Sequence, residues 1–523
     1  MLHRKCARIC NIVPCGIVIY HTLVSGSLDS HASRSMNLRD ALLQGLADLP
    51  GTRQFHLHVL VSSPRKHSNL YPFATPRPKT FLQDILVLLS EQPTDSSRVF
   101  VSAIEASLYH VPSTSSAVLY ISKVDSTGQG KPPSPTPSLV RALVTYYVDP
   151  TTRPLPVAHL WVHLFARAQN QYLFPNSSEF PGKRPLTDVA LCAWWKRQLS
   201  AVANEVVARH EAMRIRLFYV LPGLGELEAA HALDRVSTSA SASATRSVPW
   251  SYGHPYSQTE VPLPIGRDEH IGDVIPWFDD DPKARFLDEI AYTTDAEGVR
   301  SPERKRPRTS RTAQRGDPDA EGSCIPKTEQ TSRALGKVSI EEFWERMSFR
   351  QECIAGAVTG FFVMVTSCPT PGRPGLYSAL APLPGQVSSQ MVKRVLSSLM
   401  TGHEFPTAER AVWSTRVLEE AIKGLCDGLK IVQSGGDAQS PVGTPEREEK
   451  VALPETPRAD KRRQAEDVSP KVEPIARVET YDSYIYGMVS VSNPEEPRKG
   501  ASGGDGTGAI TVLTARRKKR GAC

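Results

Sequence analysis

Apolar positions along this chain alternate between two spacings from Asn37 onward. Leu38, Leu42, Leu43 and Leu46 recur on one helix face, and Leu49-Pro50-Gly51 ends that helix. Phe55-His56-Leu57-His58-Val59-Leu60-Val61 has the period of two of a strand, stopped by Pro64. Two β-rich runs, 98–111 and 117–124, flank Pro112-Ser113-Thr114-Ser115-Ser116 and read as a hairpin-like sheet element. Leu139, Leu143 and Tyr147 mark a helix, 158–165 a strand, 188–209 a long helix, and 213–220 a strand closed by Pro222-Gly223. Strands and helices intermixed over 37–235 predict an α/β fold with a central mixed β-sheet wrapped by helices.

Composition then interrupts the pattern. Residues 236–247 are Ser/Ala/Thr-rich, and 295–335 hold Arg304-Lys305-Arg306-Pro307-Arg308; both read as disordered loops. Between them 248–294 looks ordered. Order resumes at Ser339-x-x-Glu342, a capping box ahead of Phe343, Trp344 and Met347. Helical periodicity returns over 391–400 and 408–426, and from Gln433 onward no element is visible. The predicted organisation is an N-terminal extension over 1–35, a domain over 36–430 with two disordered loops, and a disordered basic tail over 431–523. The 43 prolines in 523 residues, about 8% against the usual ~5%, fit that reading.

Charge adds little: 62 Lys+Arg against 55 Asp+Glu give a net +7. The nine cysteines are scattered with no CxxC, which points to a reducing compartment and no structural zinc. A basic, then apolar, stretch over 1–25 imitates a secretory leader, but Asn11, Pro14 and His21 interrupt it, and it is read as non-secretory. No run reaches the ~20 apolar residues of a membrane span. There is no P-loop, and His210-Glu211 lacks the second histidine of a HExxH zinc site.

Four segments carry candidate chemistry. In Asp279-Asp280-Asp281-Pro282-Lys283, Asp281 before proline is an excellent N-cap. Three adjacent carboxylates also repel, which suits one of them to accept a proton from a lysine, whereas Lys283 and Arg285 would oppose that shift. The sequence leaves the sign open. Lys123-Val124-Asp125-Ser126-Thr127-Gly128 ends a strand; Asp125 is by default a turn residue, alternatively part of a loop whose free N–H groups hold an acyl or phosphate group. The stretch 165–175 combines aromatic rings with Arg167, an arrangement suited to a phosphate-bearing ligand but also common on solvated loops. Adjacent Trp194 and Trp195 point ~100° apart on a helix, so one packs inward while the other can line a cleft. The basic runs 304–308 and 516–520 read as import signals or chromatin contacts rather than a folded nucleic-acid site.

The ordered series Val101-Ser102-Ala103-Ile104-Glu105-Ala106, Ile121-Ser122-Lys123-Val124-Asp125, Gln171-Tyr172-Leu173-Phe174-Pro175-Asn176, Trp194-Trp195, Asp280-Asp281-Pro282-Lys283-Ala284-Arg285-Phe286 and Phe343-Trp344-Glu345-Arg346-Met347 resembles the fungal histone H3 lysine acetyltransferases of the regulator-of-Ty-transposition family over about 37–430. The resemblance implies a fold like the coactivator-type (CBP-like) acetyltransferase domains. It implies acetyl-CoA as co-substrate with no metal, and histone H3 lysines as acceptors in replication-coupled nucleosome assembly and the DNA damage response. It further implies H3–H4 and histone chaperones of the NAP and anti-silencing families as partners, nuclear localisation, no membrane, and nucleic acid met only through chromatin. By motif it assigns Asp281, with Asp280 and Asp125, to catalysis and Lys283 to self-acetylation. Val124, Asp125, Ser126, Phe165, Arg167, Gln169, Lys183, Arg184, Pro185 and Trp194 would lie near acetyl-CoA, and Tyr172 and Trp194 would line the substrate-lysine channel. Gln169 departs from the pattern, standing where the family carries a small residue. The alternative is a non-catalytic histone-binding scaffold, which would have no need of the acidic motif beside Lys283.

Overall fold

A computed structural model describes residues 36–93, 96–236, 247–258, 262–265, 270–292, 334–350, 353, 357–368, 378–431 and 480–494. The N-terminal extension, the loop at 237–246, nearly all of the 295–335 insertion and both basic runs lie outside them.

Ten strands form one sheet: β1 (Gly51–Val61), β2 (Arg65–His67), β3 (Thr80–Gln92), β4 (Val99–Val111), β5 (Ser116–Ser126), β6 (His159–Ala166), β7 (Arg214–Val220), β8 (Trp250–Tyr252), β9 (Gly360–Ser367) and β10 (Tyr486–Asn493). Their order is β10-β1-β3-β4-β5-β6-β9-β7-β8, with β2 paired to β3. Pairing is antiparallel except at β5–β6 and β7–β8, so the sheet is mixed as expected. The predicted hairpin is β4–β5, turned at Pro112–Thr114 with Ser115 at φ 49°.

Both faces of the sheet are covered. Along β6, Leu160, Val162, Leu164 and Ala166 join one core, while Trp161 and Phe165 face the other. The first core packs under helices α1 (Leu38–Leu46), α2 (Thr136–Val148), α3 (Asp188–Arg209), α4 (Glu226–Val236), α8 (Ser389–Gly402) and α9 (Ala408–Ile431). The second packs under α5 (Ile271–Val274), α6 (Pro282–Tyr292) and α7 (Ile340–Met347). The capping box at Ser339 holds in one direction, its hydroxyl accepting from Glu342 N–H at 3.1 Å.

Three features depart from the sequence reading. β3 and β9 are buried on both faces, so their continuous apolar runs lack the alternation that marks a strand. Residues 334 and 335, at the end of the segment read as a disordered insertion, are helical, and Leu335 is buried in the second core. The tail read as disordered contributes β10, which pairs with β1 from Gly51↔Asn493 to His58↔Tyr486. Its docking is side-chain specific: Arg39 donates to the Tyr486 carbonyl at 2.8 Å, and Asn493 to the carbonyls of Ala47 and Leu49.

Candidate active site

Parallel strands β5 and β6 pair from Ser116↔His159 to Ile121↔Leu164 and then separate. β5 continues against β4 to Ser126, and β6 against β9 to Ala166. A register shift at Glu105/Ala106 gives Ser122 no opposite residue on β4, a bulge that adds twist where the strands part. The cleft at the carboxyl ends of two parallel strands is where α/β sheets bind ligands.

Asp125 stands at the end of β5 and gathers the loop that follows β6. Its Oδ2 accepts from the backbone N–H groups of Tyr172 (2.7 Å), Leu173 (2.8 Å) and Phe174 (3.2 Å). Its Oδ1 accepts from Ser126 N–H and from Lys183 Nζ, each at 2.8 Å. Both oxygens are thus taken by donors within the protein, and Asp125 holds the 172–174 loop against the end of β5. The loop's N–H groups are likewise not free: Ser126 donates to Asp125, and Thr127 to the Val101 carbonyl. Lys183 also donates to Ser177 Oγ at 2.7 Å, so its ammonium is committed within the protein. Gly128, at φ +79°, is required here, because a Cβ would lie 2.4 Å from Lys183 Cα.

The second half of the site is the start of α6. Asp281 caps the helix, its Oδ1 accepting from Lys283 N–H at 2.8 Å, as the Asp-Pro spacing predicts. Its Oδ2 accepts from Lys283 Nζ, and both side chains are sealed from solvent. Burial pushes the Asp281 carboxyl up and the Lys283 amine down, and each is pulled back by the other. Lys283 Nζ lies 4.5 Å from the Phe361 ring centroid, and Phe361 packs on Phe165 at 4.7 Å. Asp280 is exposed and accepts from the Tyr120 hydroxyl at 2.8 Å, while Tyr120 stacks on Phe278 at 4.0 Å and 3°.

Tyr172 lies between the halves. Burial raises its phenol to about 12, with Arg167 opposing and the charges of Asp125 and Asp280 adding to the rise. Its hydroxyl donates to the Arg167 carbonyl. Val124, Phe165, Arg167 and Trp194 are half-buried, whereas Gln169, Arg184 and Pro185 are exposed. Trp194 meets Trp195 edge-on at 4.8 Å; Trp195 is the buried member, so the pair divides as its helical spacing predicts.

Tyr120, His163, Phe278 and Phe361 were not singled out from the sequence. For His163 the alternation His159-x-Trp161-x-His163-x-Phe165 was the available signal, since it places His159, Trp161, His163 and Phe165 on one face of β6. His163 is buried, with neither ring nitrogen hydrogen-bonded, and burial followed by the Lys283 charge holds it well below its ordinary value. Among the described residues no group of three or more His, Cys, Asp or Glu could hold a metal ion.

Comparison with known proteins gives a consistent result. The family model of the histone acetyltransferase KAT11-type domain matches residues 148–421. A histone acetyltransferase rtt109 of Aspergillus flavus is 29% identical over 307 residues, covering 54% of this chain and 48% of that protein. Its counterpart from Schizosaccharomyces pombe is 23% identical over 289 residues, covering 53% of this chain and 58% of that one. The alignments thus span about half the length of these curated relatives. The crystal structure of Rtt109 from Aspergillus fumigatus superposes with a TM-score of 0.55 at 26% identity, covering 74% of this chain and 96% of that one.

Proposed function

The chain belongs to the histone acetyltransferase KAT11-type family, and from that premise we propose that it transfers acetyl groups from acetyl-CoA to lysines of newly made histone H3. The single observation that carries the reading is the cleft between β5 and β6, where Asp125 holds the 172–174 loop and the charge of Asp280, just before α6, reaches Tyr172. Acetyl-CoA would supply an activated acetyl thioester. The residues fit such a ligand: Arg167 and Arg184 offer cations to phosphates, and the aromatic rings of Phe165 and Trp194 offer apolar walls. Lys183 supports this site through Asp125 rather than by its own charge.

The residues of the chain then divide the work. Exposed Asp279 and Asp280 draw a lysine ammonium to the cleft and favour its approach. Asp280, oriented by the Tyr120 hydroxyl, is the carboxylate that a substrate amine can reach for proton removal, and Asp281 is occupied by Lys283. Holding amine and thioester together replaces a bimolecular encounter by an oriented one. Lys283, enclosed by aromatic rings, is the self-acetylated lysine; acetylation removes a buried charge. The enzyme acts in the nucleus, in replication-coupled nucleosome assembly and the DNA damage response. Its partners are H3–H4 and histone chaperones of the NAP and anti-silencing families.

The test incubates the full chain with labelled acetyl-CoA, H3–H4 and a chaperone, followed by site mapping of label. Transfer to H3 lysines and a mass gain of one acetyl unit at Lys283 are expected. Histone binding without any transfer would leave the scaffold reading instead.

A further inference from the structure

Next to the Asp281–Lys283 pair, the second core holds polar atoms that the folded chain leaves unpaired. His163 and Phe165 are two apart on β6, and register sets them opposite Val363 and Phe361 on β9. His163 therefore shares a face with the Phe165–Phe361 pair, about 7 Å along the strand. Lys283 Nζ lies 4.5 Å from the Phe361 ring centroid and 6.0 Å from that of Phe278. The His163 ring is 5.8 Å from the same Phe278, and Tyr256 stacks on His163 at 6.4 Å and 13°. The charge of Lys283 reaches His163, and that of Asp281 reaches Tyr256.

His163 and Tyr256 are 1% and 3% exposed. Even so, both ring nitrogens of His163 and the hydroxyl of Tyr256 have no hydrogen-bond partner among the described residues. Buried polar groups are normally paired, because an unpaired one forfeits its hydrogen bonds to water. A neutral imidazole carries one N–H and a phenol one O–H, so the two side chains offer two donors. An ammonium accepts no hydrogen bond, so unmodified Lys283 can use neither. Acetylation changes this inventory. The amide N–H replaces the ammonium as donor to Asp281, and the new carbonyl oxygen is an acceptor with two lone pairs.

We propose that His163 and Tyr256 form an internal receptor for the acetyl group of Lys283, donating to its carbonyl while the amide N–H stays on Asp281. The proposal rests on the reading of Lys283 as an acetylated lysine, and gives that modification a binding site joining β6, α6 and the segment after β8. Trp344 supplies the competing donor: its Nε1 is also buried without a partner, and its ring meets Phe361 at 5.0 Å.

The experiment installs Nε-acetyl-lysine at 283 of the full chain during translation, so its outcome is independent of self-transfer. Urea unfolding compares this chain with the unmodified chain and with Lys283→Met, which lacks both the charge and the acetyl group, each verified by intact mass. The acetylated chain should exceed Lys283→Met at least tenfold in folding equilibrium constant. Tyr256→Phe and His163→Phe should each lower the acetylated chain about tenfold and the other two by less than about threefold, since only the acetylated chain bonds the deleted donors. A carbon-13 label on the acetyl carbonyl should resonate downfield of its position in the urea-unfolded chain and move upfield in Tyr256→Phe, a measurement that stands if His163→Phe misfolds. Equal stability of the acetylated chain and Lys283→Met would overturn the proposal. So would an acetyl carbonyl at its unfolded position, losses of one size in all three chains, or a loss confined to Trp344→Phe.

Discussion

The ammonium of Lys283 donates to the carboxylate of Asp281, and the two side chains are only 3% and 0% exposed. Removing one member strands the other charge in the core, which costs ~3–5 kcal/mol, whereas replacing both by apolar groups is often neutral. Asp281→Asn and Lys283→Met should therefore each lower the urea-derived stability by about 3 kcal/mol. The double variant Asp281→Asn/Lys283→Met should be at least as stable as either single one, since Asn still caps α6. Losses that simply add would refute the coupling.

Strand β10 should open first in acid. His56 and His58 lie under it, bonded to the hydroxyls of Tyr486 at 2.8 Å and Tyr481 at 3.1 Å. Burial, then the Arg98 charge, lowers His56 to about 4 and His58 to about 3. The unfolded chain binds protons at these histidines below ~6.5 while the native one does not. Their contribution is thus complete above ~6.5 and falls as pH drops from there toward the native values, by up to ~1.4 kcal/mol per pH unit for each group. Protection factors of the β1–β10 amides, corrected for the intrinsic exchange rate, should fall between pH 6 and 4 before those of β4–β5. His58→Gln should flatten the acid limb, and a profile indifferent to it would count against this account.

Asp125 supports three consecutive backbone N–H groups and the Lys183 ammonium. Asp125→Ala should release 172–174 to fast hydrogen exchange, cost ~3 kcal/mol through the buried donors left unsatisfied, and reduce acetyl transfer at least a hundredfold. If Asp125 acts only by holding this loop, Asp125→Asn lowers the rate without altering the shape of the pH–rate profile. Loss of the acidic limb of that profile in Asp125→Asn would instead make it the base.

Gly128 couples the same loop to 182–184. Gly128→Ala must strain a positive φ and displace Lys183, whose Cα would lie 2.4 Å from the new Cβ. A stability loss above ~1 kcal/mol is expected, with KM for acetyl-CoA rising roughly tenfold, since the loop that moves carries Arg184. Parent stability and parent KM in Gly128→Ala would show that the contact can relax freely.

Local patterns were legible where one face of an element is wet or where a cap is required. The α6 start at Asp281-Pro282, the span of α3 and the β4–β5 hairpin follow from such signals. β3 and β9, covered on both faces, have no alternation to read. β10 was missed for another reason: it has one buried residue, Val491, and becomes a strand only by pairing with β1 across more than 400 residues of sequence.

The sequence by itself determined that an α/β domain surrounds an acidic helix start beside a lysine, because propensity, capping and periodicity act within a few residues. Only the tertiary structure decided what the carboxylates do. Asp125, Asp280 and Asp281 carry the same group, yet one is saturated by backbone donors, one is exposed on a tyrosine, and one is sealed with a lysine. A carboxylate's chemistry depends on its solvation and on the donors that reach it, and in this fold those donors come from segments distant in the chain.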